Sequence, residues 1–132
     1  MLTTLTAPAF AETWDIEKGD ITVKAGDTEG TNKVSQGTII DKEDTNTVIT
    51  GKSDKNTVTI KAENENDKVE VKLEDVNIKT TGGKAAVSVT GKGDTTIELN
   101  GDNELSGSGA HAALEHNQTV DGEGNVTSGE LT

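Results

Sequence analysis

The chain has 132 residues, with 24 acidic and 12 basic side chains and a net charge of -12. Every basic residue is Lys, Cys and Tyr are absent, Phe10 and Trp14 are the only aromatics, and Leu, Ile, Val and Phe fill 27 positions, about a fifth of the chain. That composition excludes a thiol nucleophile, a thiolate zinc site and a disulfide scaffold. It disfavours nucleic acid, because phosphate contacts need clustered positive charge, and it lies where charged chains border on disorder.

The chain opens on Met1–Ala11, MLTTLTAPAFA, an uncharged run closing on Ala9-Phe10-Ala11. Small residues flanking Phe10 fit a signal-peptidase pocket, so residues 1–11 are expected to be a clipped signal peptide cleaved before Glu12. Export to the medium or the cell surface follows from that reading. No segment is long and apolar enough to cross a bilayer as a helix, so membrane insertion is not expected.

From Trp14 to Leu114 the pattern is alternation. It runs through Asp20–Val23, Asn56–Ile60, Lys68–Leu73, Ala85–Val89 and Thr95–Leu99, with β-branched residues at every second place and Gly, Asp, Asn and Lys between the runs. This is the signature of strands joined by tight turns, and no stretch shows helical spacing. The chain is therefore expected to be all-β, with residues 12–132 as one domain.

An internal echo narrows the architecture. Val48–Asp54 and Val87–Asp94 share a strand and a Thr-Gly-Lys turn forty residues apart, and Leu73–Ile78 echoes Leu99–Leu105 with Asn77 and Asn103 twenty-six apart. Irregular spacing of this kind suits a short right-handed parallel β-helix, a solenoid with coils of roughly 20 residues. Its expected core column is Ile21, Val23, Val48, Val58, Ile60, Val69, Val71, Leu73, Val76, Ile78, Val87, Val89, Ile97, Leu99 and Leu105. The alternative is an immunoglobulin-like sandwich, which usually anchors its core on an aromatic that the strand region here lacks.

The order Val71-Lys72-Leu73-Glu74-Asp75-Val76-Asn77-Ile78, then Ala85–Val89, then Thr96–Leu105 resembles a bacterial secreted carbohydrate-binding-domain family with a pectate-lyase-like parallel β-helix. The resemblance covers roughly residues 45–115 and rests on short motifs. It implies an extracellular, non-catalytic module associated with calcium that binds polysaccharide, particularly acidic sugars. The chain is shorter than the family pattern, and Asn125–Thr132 reads as a new coil cut off, which suits a fragment of a longer protein.

Hard cations need clustered carboxylate and amide oxygens. If Asp75, Asn77, Asp102 and Asn103 share a turn on successive coils, they form the candidate calcium site. The competing reading is that Asp and Asn only cap turns, or that Asn77 and Asn103 stack in an amide ladder. Catalysis is not expected: a lyase of this style would need an Arg base, and no carboxylate pair stands out for a glycosidase. His111 and His116 read as solvated residues on a terminal coil. Trp14 is either a sugar-stacking platform or a plug over the first coil, with the plug favoured. The leading expectation is a secreted or cell-surface module for polysaccharide or cell-wall glycan. A structural stalk or adhesin segment without its own ligand is second, and an enzyme acting on uronic-acid polymers is third.

Overall fold

A computed structural model describes residues 12–117, 123 and 129–132; the expected leader at 1–11 lies outside these. The fold is all-β, with no α-helix among the described residues. In chain order the strands are β1 (Thr13–Asp15), β2 (Ile21–Ala25), β3 (Asn32–Gln36), β4 (Ile39–Asp44), β5 (Thr47–Ser53), β6 (Val58–Lys61), β7 (Lys68–Lys79), β8 (Val87–Thr90), β9 (Asp94–Asn100), β10 (Glu104–Ser106) and β11 (Leu114–His116). A single 3₁₀ turn, Ile16–Lys18, follows β1 and is capped by the Asp15 carboxylate.

Two sheets form, one parallel and one mixed. In the first, β5 lies between β1 and β7, and β7 in turn pairs with both β9 and β10. In the second the order is β11-β8-β6-β2-β3-β4. All pairings are parallel except β2–β3 and β3–β4. Parallel neighbours put like residues side by side, so apolar positions line up in columns. One column is Trp14, Ile49, Leu73 and Leu99, and another is Ile21, Val58, Val87 and Leu114.

Three strand paths turn a corner within the first sheet. Gly51 (φ +98°) bends β5, Asp75 (φ +51°) bends β7, and Gly101 (φ +71°) separates β9 from β10. A left-handed backbone suits Gly, and Asp is among the few other residues that tolerate it. These corners lie 24 and 26 residues apart, and the Val58, Val87 and Leu114 positions 29 and 27 apart. The repeat is longer than the roughly 20 residues expected. The Thr-Gly-Lys echo also misleads: Val48 pairs with Lys72, whereas Val87 pairs with Val58, so the two copies occupy different sheets.

Polar side chains tie successive layers together at the bends. Asp20 Oδ1 accepts from Thr57 N–H at 2.8 Å, Asp94 Oδ1 from Glu130 N–H at 2.9 Å, and Asn56 Nδ2 donates to the Ile16 carbonyl at 2.9 Å. Asp15, Asp20, Asp44, Asp67, Asp75 and Asp94 thus satisfy backbone donors that would otherwise be left unpaired.

Twelve of the fifteen expected core residues are buried. The exceptions belong to the last strands: Leu99 is 63 % exposed, and Ile97 and Leu105 are only partly covered, with Leu131, which bridges Thr95 in parallel, packed against the core there. At the opposite end the column is sealed. Trp14 is 3 % exposed, beside Ile16, Val34 and Ile49. The β3–β4 hairpin supplies Asn32, Val34, Gln36 and Asp44 to that end, all buried. Asp44 accepts from Trp14 Nε1 at 2.8 Å and from Glu12 N–H at 3.1 Å, and Gln36 Nε2 donates to the Asp15 and Gly19 carbonyls. Trp14 is therefore a plug, out of reach of a sugar ring.

Candidate functional site

The first sheet turns its outward residues into a groove. On β7 these are Lys68, Glu70 and Lys72, and on β9 they are Asp94, Thr96 and Glu98, paired in register. The β2–β3 loop, through Glu29 and Gly30, and the segment before β5, through Asn46, rise beside Lys68 and Glu70, where Gly30 and Asn46 share one recess. Four recesses share these residues and run into one another, with volumes of about 450, 330, 200 and 40 Å³. The largest opens at the Thr28–Thr31 loop against Glu65 and Asp67.

Most of the side chains that line the groove are polar or charged. Lys72 and Glu98 form an ion pair at 3.2 Å, which removes one of the two cations of the floor from the field. The carboxylates of Glu29, Glu70, Asp94 and Glu130 then outnumber Lys68, so the groove is acidic. Such a surface offers hydroxyl, amide and carboxylate groups to a neutral polyol and repels an acidic one unless a cation intervenes.

The candidate calcium residues are divided by the fold. Asp75 and Asp102 meet at one corner, where Asp102 N–H donates to Asp75 Oδ1 at 2.9 Å. Asn103 lies beside them, but its amide clasps two layers: Oδ1 accepts from Val76 N–H at 2.9 Å, and Nδ2 donates to the Leu73 and Asn100 carbonyls. Asn77 stands apart. It faces outward from β7, in register between Lys52 and Glu104, so Asn77 and Asn103 are not equivalent positions. No group of three or more His, Asp or Glu side chains gathers at metal-holding distance among the described residues.

His111 and His116 are both exposed, and His111 Nδ1 lies 2.8 Å from Glu115 Oε1. The groove was not singled out in the sequence. Its signal was the polar half of the alternation, Lys68-x-Glu70-x-Lys72 beside Asp94-x-Thr96-x-Glu98, which shows only once the register is known. Comparison with protein-family models, curated proteins and solved structures finds no match.

Proposed function

We propose that the chain is a short right-handed parallel β-helix, exported to the medium or the cell surface, that binds polysaccharide without catalysis. Parallel in-register columns, corners at 24 to 26 residues and the right-handed habit of parallel crossovers support the coil over a sandwich. The observation that carries the binding reading is the continuous polar groove over β7 and β9. Its acid excess favours neutral glycans directly and acidic ones through bridging calcium. The resemblance of residues 45–115 to secreted carbohydrate-binding domains points the same way.

A glycan array probed with the full chain, in millimolar calcium and in chelator, tests this. Retention of a glycan is expected, and it should be lost in a Thr96→Ala/Asn46→Ala variant whose melting temperature is unchanged. No glycan retained in either condition overturns the binding reading. Calcium is tested separately by the melting temperature, which should rise with the ion; equal values with and without it remove calcium from the proposal. The alternative is a structural segment of a surface protein without its own ligand, favoured by one observation: no exposed aromatic is offered for sugar stacking among the described residues.

A further inference from the structure

Around the corner from the groove, the fold assembles a patch of opposite sign. Lys52 lies on β5 past the Gly51 bend and pairs in register with Asn77 on β7. Lys79 follows two residues later on β7, so it projects on the same outward side as Asn77. After β5, Ser53 Oγ accepts from Lys55 N–H at 3.2 Å and from Asn56 N–H at 2.8 Å, which folds the turn back and brings Lys55 over the same surface. The three lysines line one recess of about 550 Å³ together with Asn77 and Ser53. Glu17 and Asp54 stand in the lining too, leaving one positive charge in excess within it, and Glu104 borders it in register with Asn77.

In a chain of net charge -12 this is a local reversal. None of the three ammonium groups has a carboxylate within ion-pair distance among the described residues, whereas Lys24, Lys33, Lys42 and Lys72 do. Like charges held near one another repel, and a bound anion would relieve that repulsion. An ammonium is a compact point charge with three donors, able to meet the oxygens of a tetrahedral anion without the planar match that a guanidinium requires. Asn77 and Ser53 add neutral polar groups beside it.

We propose that this recess binds a sulfate or phosphate group, without a metal ion. The site lies outside the groove and does not depend on the groove binding glycan.

The test is a titration of the full chain, followed by amide ¹H–¹⁵N shifts, with dextran sulfate, polyphosphate and uncharged dextran in the presence of chelator. The charged polymers should move the amides of Lys52, Ser53, Lys55, Asn77 and Lys79, and binding should weaken as salt rises. Dextran sulfate alone binding identifies a sulfated source, polyphosphate alone a phosphorylated one, and both a shared oxyanion site. Replacing Lys52, Lys55 and Lys79 by Gln should weaken binding roughly tenfold or more, while the charge-matched Lys61→Gln/Lys84→Gln/Lys92→Gln variant keeps it. Binding of neither polymer, equal loss in the two variants, or shifts spread over all lysines overturns the proposal. Retention of neutral glycans reports on the groove alone, so the two readings fail independently.

Discussion

Thr95 lies in the interior column between Val69 and Leu131, 1 % exposed, and its Oγ1 has no hydrogen-bond partner among the described residues. Its backbone is fully engaged, with N–H donating to the Glu130 carbonyl and C=O accepting from Thr132 N–H. The penalty therefore belongs to the hydroxyl. A buried unpaired hydroxyl costs about 1–3 kcal/mol, and Val has the same branched shape without it. Thr95→Val should stabilise the fold by about 1–2 kcal/mol, raising the melting temperature by roughly 3–6 °C for a domain of this size. The sign is sharpened by a second Thr in the interior. Thr47 is also fully buried, but its Oγ1 accepts from Asn32 Nδ2 at 2.9 Å, and Asn32 in turn donates to the Glu70 carbonyl. Thr47→Val strands that amide donor and should destabilise by about 1–2 kcal/mol. Paired thermal and urea unfolding curves read both. Equal shifts of the same sign, or a loss in Thr95→Val, refute the reasoning.

Glycine corners offer a second contrast. A Cβ at Gly91 (φ +106°) would collide with the Ala62 backbone carbonyl, whereas at Gly82 (φ +78°) it meets open space, so Gly91→Ala should cost clearly more than the roughly 1 kcal/mol of strain expected for Gly82→Ala in denaturant unfolding. Asp44→Ala removes the acceptor of both Trp14 Nε1 and Glu12 N–H and should destabilise by about 2–3 kcal/mol, followed by Trp14 fluorescence during urea unfolding; a change under about 0.5 kcal/mol would contradict the buried clasp. Asn103→Ala should cost about 2 kcal/mol, since one amide serves three backbone groups, while the outward Asn77→Ala should be near neutral in the same assay. Similar losses at the two positions would count against their inequivalence.

Much of the strand content was legible because burial on one face writes an alternation into the sequence. The runs at Asp20–Val23, Asn56–Ile60, Lys68–Leu73 and Thr95–Leu99 all overlap observed strands. The β3–β4 hairpin was not legible, because its buried residues include Asn32, Gln36 and Asp44, each satisfied by a partner 15 or more residues away. The repeat length is hidden in the sequence for a related reason. Its marks were Ile49-Thr50-Gly51, Leu73-Glu74-Asp75 and Leu99-Asn100-Gly101, an aliphatic two places before a residue that accepts positive φ. The louder Thr-Gly-Lys match obscured them. At the candidate calcium site, composition showed which oxygens exist but not which were already bonded. Asn103 is engaged by the backbone and Asn77 lies among lysines, facts of register that no spacing rule carries.

The β3–β4 hairpin has a consequence for how this chain tolerates change. From Ile21 to Val58 is 37 residues, against 29 and 27 for the next two steps along the same column, yet the register of β2, β6 and β8 is uninterrupted. The hairpin leaves the layer, seals its end and returns without displacing a single paired position. The bend after Ala25 is thus a natural splice point. A foreign loop grafted at the Thr28–Gly30 tip would stand over the groove while the columns beneath kept their alignment, giving the scaffold variable recognition on an invariant frame.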